Sequence, residues 1–304
     1  DLGEKNYSGK VRENYYLNDK IVMVTTDRVS AFDHILGTIP FKGEVLTQIA
    51  KFWFERTRDI APNHYLENPD PQVLLTLRAK PLPIEIIIRG YITGSLWRDY
   101  TNGIDDQYGF KIPSGMKKNQ KFKKPIITPT TKAEYGQHDE AISKNEIISG
   151  LVEKIIYEKA EEYALELFSE GQKWASGRGL ILVDTKYEFG MIGNELYVID
   201  EIHTPDSSRY WIADEYESRF SAENDQLMLD KENIRQWLIK QGFSGEGTPP
   251  KLTDEIRILL SEKYIELYKI LTGGDFIPSL GDVHTRIINN LKRKGLMKEK
   301  INES

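Results

Sequence analysis

Two apolar, β-branched runs flank a short break rich in glycine and asparagine between Leu180 and Trp211. The runs read LILVDTKYEFG and LYVID, and this pattern predicts a β-hairpin. Because side chains alternate between the two faces of a strand, Asp184, Lys186 and Glu188 share one face. In a hairpin of suitable register, Asp200 on the returning strand meets Glu188 and Asp184. The segment therefore places carboxylates and a lysine together on a single sheet face.

This group of carboxylates favours a metal ion. Removing several carboxylates from water is costly unless a cation joins them. Mg²⁺ binds one or two carboxylates together with phosphate oxygens, and it is the simplest such cation. A solvated outer face of an edge hairpin is the alternative, and the pattern alone leaves both interpretations open.

The rest of the pattern predicts strands at the front of the chain and helices at the back. Alternating or continuous apolar runs predict strands, and apolar residues at helical spacing predict helices. The predicted strands are residues 7–17, 21–26, 73–77 and 84–91, and the predicted helices are residues 44–60, 95–99, 143–171, 229–240, 253–271 and 282–296. A break at Pro81-Leu-Pro83 precedes the last strand, and residues 102–131 are predicted to be a loop. Ser143 and Glu146 have the spacing of a capping box.

This order of elements predicts an α+β fold with two lobes. Residues 1–110 form a β-rich N-terminal lobe, and residues 111–304 form a second lobe with a mixed α/β central part and a helical C-terminal part. We expect the active site to lie in the cleft between the lobes.

Two segments combine charged residues with strands. Gly9, Lys10 and Arg12 lie near the start of the first hairpin, where a glycine lets the backbone approach a phosphate that the cations neutralise. An ordinary surface hairpin is the alternative. Glu85 and Arg89 interrupt an otherwise apolar strand, so each needs a partner, and they can pair with each other.

Two further segments place polar residues directly after buried strands. Residues 26–34 are dense in polar side chains, and loops at strand ends commonly hold binding residues. Ser30 and Asp33 in this segment can also be simple turn-formers. Ser95 stands at the start of a predicted helix, either as its cap or as an anion ligand.

Composition narrows the class of protein. The 304 residues are 39% hydrophobic and 29% charged, as in soluble globular proteins, and no apolar run is long enough to span a bilayer. The absence of cysteine excludes disulfides, thiolate metal sites and cysteine nucleophiles. A formal net charge of −6 argues against general nucleic-acid binding. Together these features suit a cytoplasmic protein.

Two stretches resemble the SAICAR synthetase family, namely LPIEIIIRGYITGS at residues 82–95 and LVDTKYEFG at residues 182–190. Supporting matches occur in the family's order over nearly the whole chain, at Gly9-Lys-Val-Arg12, Ser30-Ala-Phe-Asp33, Lys42-Gly43, His138-Asp139 and residues 200–209. The long form of residues 200–211 and the helical tail resemble the longer, yeast-type members.

The resemblance implies an ATP-dependent ligase of purine biosynthesis. ATP, carboxyaminoimidazole ribonucleotide (CAIR) and L-aspartate give the succinocarboxamide product (SAICAR), ADP and phosphate, with Mg²⁺ as cofactor. The most economical route passes through an acyl phosphate, since phosphate is a better leaving group than a carboxylate oxygen. The oligomeric state stays open, with a monomer favoured.

The resemblance also implies roles for the ATP-site residues. Glu188 and Asp200 hold Mg²⁺, while Asp184 holds a second metal ion or orients the acceptor carboxylate. Lys186 stabilises charge on the transferring phosphoryl group. Residues of the first hairpin and of the strand near residue 84 bind the nucleotide: Lys10 and Arg12 cover the phosphates, and the adenine lies near Leu82 and Glu85.

The remaining family matches imply contacts with the other substrates. Arg89, Ser95 and Arg209 bind the ribonucleotide, because a guanidinium fork suits a phosphate or carboxylate. Asp33 and Asp139 belong to the same cleft, and Asp139 accepts a hydrogen bond from a substrate amine that the sequence does not identify. His138 and His203 are either general bases or structural histidines.

Two other functions remain to be weighed. The glycine hairpin, the lysines and a late metal-binding aspartate also occur in kinases, but the chain contains neither a His-Arg-Asp loop nor an Asp-Phe-Gly motif. A non-catalytic nucleotide-binding protein would explain the cationic residues that suit a phosphate, but it would not explain the three carboxylates that face the predicted metal site.

Overall fold

The chain forms two compact units. The computed structural model describes residues 5–32, 34–132 and 139–297. Unit 1 comprises Asp1–Arg56, His64–Arg78 and Asp230–Ser304, and unit 2 comprises Thr57–Asn63 and Ala79–Leu229. Each unit combines antiparallel sheet with helices, which confirms the predicted α+β class. The predicted lobe boundary at residue 110 stays a prediction.

Unit 1 contains two antiparallel sheets. The larger has the spatial order β1-β2-β3-β7-β6, and the smaller pairs β4 with β5. The strands are β1 (Lys5–Ser8), β2 (Arg12–Leu17), β3 (Lys20–Thr25), β4 (Arg28–Ala31), β5 (His34–Thr38), β6 (Tyr65–Asp70) and β7 (Val73–Leu77). The predicted hairpin before residue 26 (β2 and β3) and the strand at residues 73–77 are confirmed. The single strand predicted over residues 7–17 is wrong, because the chain turns at residues 9–11 and β1 pairs back onto β2.

Helices cover both sheets of unit 1. They are α1 (Lys42–Arg56), α6 (Glu232–Lys240), α7 (Asp254–Thr272) and α8 (Val283–Arg293). Fully buried Val45, Ile49 and Trp53 in α1 follow the helical spacing that the sequence predicts. Leu291 of α8 packs into a cluster with Val22 of β3 and residues of β7. A second cluster joins α6 and α7 to β4.

Unit 2 is built around one six-stranded antiparallel sheet. Its long strands β8 (Lys80–Tyr91) and β11 (Leu180–Ile192) pair with each other, and shorter strands flank them. The shorter strands are β9 (Lys121–Ile127), β10 (Thr130–Thr131), β12 (Glu195–Ile199) and β13 (Ser208–Ile212). β11 therefore has β8 on one side and both β12 and β13 on the other.

The helices of unit 2 are α2 (Gly94–Thr101), α3 (Lys144–Glu146), α4 (Lys154–Ser176) and α5 (Ala213–Ser221). The Ser143–Glu146 capping box is present as predicted. The single helix predicted over residues 143–171 is wrong, because a π-helical turn at Ile147–Leu151 ends in extended Val152 before α4 begins. The chain there leaves the α-helical path that periodicity alone would continue.

Two predictions about the sheet of unit 2 are also corrected. The predicted break at Pro81-Leu-Pro83 lies inside β8, at its beginning, where a strand tolerates proline because fewer ladder hydrogen bonds are needed. The predicted loop at residues 102–131 contains β9 and the two-residue β10, since both strands pair with β8. The hairpin of β11 and β12 is confirmed, with its turn at residues 193–194.

A close helix–sheet contact in unit 2 surrounds His203. A Cβ atom at Gly171 of α4 would lie 2.6 Å from Cε1 of His203 and 2.6 Å from Leu182. His203 has no exposed surface, and its Nε2 lies 2.5 Å from the hydroxyl of Tyr187. Burial lowers the pKa of His203 from its usual 6.5 to about 3. His203 is therefore neutral at pH 7, in keeping with a structural role.

The depressed pKa of His203 predicts a pH-dependent stability. Because the unfolded chain takes up this proton near pH 6.5 and the folded chain does not, the free energy of unfolding falls as pH drops from 6.5 toward 3. The slope for this group is at most about 1.4 kcal/mol per pH unit. Denaturant unfolding at several pH values should show a shallower slope for His203→Asn than for the wild type. Equal slopes in His203→Asn and wild type would contradict the expectation.

Candidate active site

The charged residues of β11 face partners that the neighbouring strands supply in register. Asp184 lies opposite Arg89 of β8 and opposite Arg209 of β13. Four residues further along, Glu188 lies opposite Glu85 of β8. These alignments create two groups of charged side chains on one strand, which we call the arginine cluster (Arg89, Asp184, Arg209) and the lysine–glutamate cluster (Glu85, Lys132, Lys186, Glu188).

The arginine cluster is buried, and both of its guanidinium groups lie close to Asp184. Nη1 of Arg209 lies 2.5 Å from Oδ2 of Asp184, and Nη1 of Arg89 lies 3.6 Å from the same oxygen. Nε of Arg89 donates to Oγ1 of Thr128 at 2.8 Å. Burial lowers the pKa of Arg89, and the charge of Asp184 opposes that shift. Two guanidinium groups lie on the carboxylate of Asp184, and the charge of Asp99 also acts on Arg89. Guanidinium groups held in this way suit a ligand with phosphate or carboxylate groups.

Glycine at position 94 makes room for the arginine cluster. Gly94 begins α2 with φ +59°, a conformation that most other residues adopt only at a cost. A Cβ atom there would lie 2.3 Å from Nη2 of Arg209. Ser95, the next residue, is half-buried within the first turn of α2. The family-like stretch at residues 82–95 thus runs from the lysine–glutamate cluster to the arginine cluster.

Opposite charges alternate in the lysine–glutamate cluster. Nζ of Lys186 lies 2.6 Å from Oε1 of Glu85 and 2.7 Å from Oε1 of Glu188. Lys132 makes a further ion pair with Oε2 of Glu188. Each carboxylate and each lysine therefore has an oppositely charged neighbour inside the unit.

These contacts set the protonation states of the cluster. Burial lowers the pKa of Lys186, but the charges of Glu188 and Glu85 outweigh burial and raise that pKa well above its usual value. Burial raises the pKa of Glu188, but Lys186 and Lys132 hold it far below its usual value. Burial raises the pKa of Glu85 to about 7, with Lys186 opposing the shift. Lys186 is a fixed cation and Glu188 a fixed anion at neutral pH.

Asp200 follows β12 directly and has φ +66°. Ile199, and not Asp200, lies opposite Glu188 in the hairpin register. The negative charge of Asp200 nevertheless acts on both Lys132 and Lys186, so Asp200 belongs to the surroundings of the lysine–glutamate cluster. Asp184 lies instead in the arginine cluster.

The carboxylates of β11 and Asp200 thus differ in their suitability for a metal ion. Across residues 5–32, 34–132 and 139–297, no three Asp, Glu, His or Cys side chains are grouped as a metal site. Glu188 and Asp200 near the same lysines still fit Mg²⁺, which accepts two carboxylates when phosphate oxygens supply the other ligands. The three-carboxylate metal site of Glu188, Asp200 and Asp184 stays a prediction.

Lys132 is a charged residue of this region that the sequence analysis did not select. It directly follows β10, and its backbone N–H donates to the carbonyl of Pro83 at 3.0 Å. The only signal in the sequence was a lysine after Pro-Thr-Thr in a polar stretch. Nothing local distinguishes it from the other lysines of residues 117–132, because its partner Glu188 lies 56 positions away.

The remaining predicted site residues fall in several places. Asp139 is exposed, and its charge acts on Glu85. Leu82 is 8% exposed on β8. Lys10 and Arg12 lie in unit 1, at the turn between β1 and β2. Asp33 and His138 lie outside the described residues.

Comparisons with known proteins agree on one family. The profile of SAICAR synthetase matches residues 5–251. A phosphoribosylaminoimidazole-succinocarboxamide synthase of Bacteroides fragilis is 50% identical over 281 residues, 90% of either chain. The enzyme of that name from Azobacteroides pseudotrichonymphae is 49% identical over 301 residues, which are 97% of this chain and 93% of that protein.

Solved structures agree with the sequence matches. A SAICAR synthase from Saccharomyces cerevisiae, complexed with SAICAR, superposes with a TM-score of 0.78 at 32% identity, covering 90% of this chain and 96% of that one. A SAICAR synthetase in complex with ADP shares the fold, with a TM-score of 0.68 at 23% identity over 89% of this chain and 99% of that one. The chain therefore belongs to the SAICAR synthetase family, as its motifs predicted.

Proposed function

We propose that this chain joins L-aspartate to the carboxylate of CAIR in an ATP-dependent reaction that yields SAICAR, ADP and phosphate. Family membership supports this function, and the paired clusters on β11 carry it: one brings two guanidinium groups together, and the other sets carboxylates beside lysines. A ligand with phosphate and carboxylate groups suits the first cluster, and a metal-bound nucleotide suits the second.

The chemistry divides into two transfers. An oxygen of the CAIR carboxylate attacks the γ-phosphorus of ATP, the bond to ADP breaks, and an acyl phosphate forms. The amine of aspartate then attacks the carbonyl carbon, an amide bond forms, phosphate leaves, and the amine loses a proton. The first transfer is needed because a carboxylate oxygen is a poor leaving group.

The lysines stabilise charge during the phosphoryl transfer. Lys186 stays protonated at neutral pH, because the carboxylates beside it raise its pKa, so it acts as a fixed cation and not as a base. Burial lowers the pKa of Lys132, but Glu188 and Asp200 together raise it above its usual value, and we assign Lys132 the same electrostatic role. Glu188 and Asp200 are the residues we assign to Mg²⁺, which neutralises phosphate charge when bound.

The other predicted roles become proposals. Arg89, Ser95 and Arg209, with Asp33, bind the ribonucleotide, and Asp184 orients the two arginines that it contacts. Asp139 accepts a hydrogen bond from a substrate amine. The nucleotide contacts are those predicted from the sequence: Lys10, Arg12, Leu82 and Glu85.

Two wider expectations also stay predictions, namely a cytoplasmic location and a monomeric state. Within the part of the chain that the structure describes, no helix combines the length and apolarity that crossing a membrane requires.

Omitting each substrate tests the proposed function. In a coupled assay of ADP release, we expect turnover to require both CAIR and L-aspartate in addition to MgATP. Release that persists when either is omitted, or that occurs with an unrelated acceptor, would contradict the ligase and favour a kinase or ATPase.

The metal assignment predicts the behaviour of Asp200→Asn. Asparagine tolerates the left-handed backbone of this position, so the fold should remain intact while turnover falls by about 100-fold or more. The control is Asp225→Asn, which changes an exposed aspartate paired with Lys118 and should keep wild-type activity. Near-normal activity of Asp200→Asn at limiting Mg²⁺ would show that the metal assignment is wrong.

The close contact between Gly94 and Arg209 predicts a defect in ribonucleotide binding. Gly94→Ala should raise KM for CAIR by about 10-fold or more, the effect we also expect of Arg209→Ala, with KM for ATP much less affected. Gly103→Ala is the control, because Gly103 has φ +79° and nothing within 4 Å of the added Cβ atom. A similar KM increase in both glycine variants would attribute the effect to backbone strain instead.

A further inference from the structure

The turn between β1 and β2 has every carbonyl from Gly9 to Arg12 engaged in a hydrogen bond. The N–H of Gly9 donates to the carbonyl of Arg12 at 2.8 Å. The carbonyl of Val11 accepts from both N and Oγ1 of Thr26, each at 2.8 Å. The carbonyls of Gly9 and Lys10 accept from a side chain of the segment at residues 26–34, which the sequence marks as dense in polar groups.

That side chain is Arg28, and all three of its guanidinium nitrogens are used. Nε donates to the carbonyl of Lys10 at 3.0 Å, and Nη2 donates to the carbonyl of Gly9 at 2.9 Å. Nη1 lies 2.6 Å from Oε1 of Glu13, a carboxylate of β2 that is largely buried. Oγ of Ser8 donates to the same oxygen at 3.2 Å. A lysine could not reproduce this fork, since all the N–H groups of its ammonium lie on one nitrogen and cannot reach three separated acceptors.

These bonds determine which way the turn presents its amides. The peptide bonds here are trans, and in a planar trans peptide the N–H points opposite to the carbonyl of the preceding residue. With the carbonyls of Gly9, Lys10 and Val11 held toward residues 26–28, the N–H groups of the following three residues point to the other side. Successive backbone N–H groups on one side of a turn are a typical arrangement for binding an anion.

We infer that Arg28 is a positioning residue that holds the carbonyl side of the Gly9–Arg12 turn, so that its amide side and Lys10 are ordered before nucleotide phosphates bind. This inference rests on the proposed function, in which Lys10 and Arg12 bind those phosphates. Arg28 acts through the turn, because its own nitrogens are occupied by Gly9, Lys10 and Glu13.

The test is Arg28→Lys, with Arg257→Lys as a matched control in the same unit. Arg257 has a similar set of partners: its Nε donates to the carbonyl of Thr38 at 2.8 Å, and its Nη1 lies 3.0 Å from Asp254. We expect Arg28→Lys to raise KM for ATP by about 10-fold or more, with KM for CAIR and aspartate unchanged, and Arg257→Lys to match the wild type.

Calorimetry separates positioning from simple stabilisation. Arg28→Lys should weaken ADP binding by a similar factor and leave adenosine binding unchanged, because the turn is assigned to the phosphates. Equal weakening of ADP binding and adenosine binding, or a lowered Tm with unchanged KM for ATP, would overturn the inference.

If Arg28→Lys fails to fold, Thr26→Val tests the same geometry by deleting one of the two donors to the carbonyl of Val11. We then expect a smaller but still selective loss of ADP affinity. An unselective or absent loss in Thr26→Val would overturn the inference as well.

The same measurements distinguish this inference from the proposed function. If the wild-type protein binds ADP but does not turn over with CAIR and aspartate, the ligase function is contradicted. The positioning role of Arg28 is then still decided by whether Arg28→Lys weakens ADP binding more than adenosine binding. Wild-type protein that does not bind ADP would overturn both.

Discussion

Burial of charge along β11 is the constraint on which the site depends. A strand paired on both sides can carry Asp184 and Glu188 only if opposite charges reach them, because an unpaired buried charge costs several kcal/mol. The register with β8 and β13 brings Arg89 and Arg209 to Asp184. The chain after β10 brings Lys132 to Glu188, and β11 itself supplies Lys186. The strands that pair with β11 therefore also supply much of the charge that its buried carboxylates need.

This compensation also sets the chemical character of each residue. Lys186 lies between Glu85 and Glu188, and the resulting rise in its pKa makes it suited to stabilising a negative charge rather than to accepting a proton. Asp184 is shared by two guanidinium groups, which suits a role in orienting them more than metal binding. Residues of the same type thus take different roles according to the neighbours that the sheet provides.

Close approaches of the backbone keep these side chains in place. Gly94 has no side chain where the guanidinium of Arg209 lies, and Gly171 lets α4 approach His203 and Leu182. His203 in turn shares a hydrogen bond with the hydroxyl of Tyr187, the strand neighbour of Lys186. In unit 1, Arg28 holds the glycine turn in a comparable way, through the backbone rather than through a ligand. Positioning residues of this kind are not marked by a recognisable sequence motif.

The sequence alone determined the features that repeat over a few residues. Strand alternation placed Asp184, Lys186 and Glu188 on β11, helical spacing predicted the buried face of α1, and the turn signal predicted the β11–β12 hairpin. Local patterns missed the π-helical turn after Glu146. They also missed the strands within residues 102–131, where pairing with β8 overrides local preference. Only the tertiary structure decided that Asp184 pairs with two arginines, that Lys132 joins Glu188, and that Arg28 holds the turn. Those partners are 18 to 95 positions apart, and bulges such as the one between Leu182 and Asp184 set their register, so no short-range periodicity encodes them.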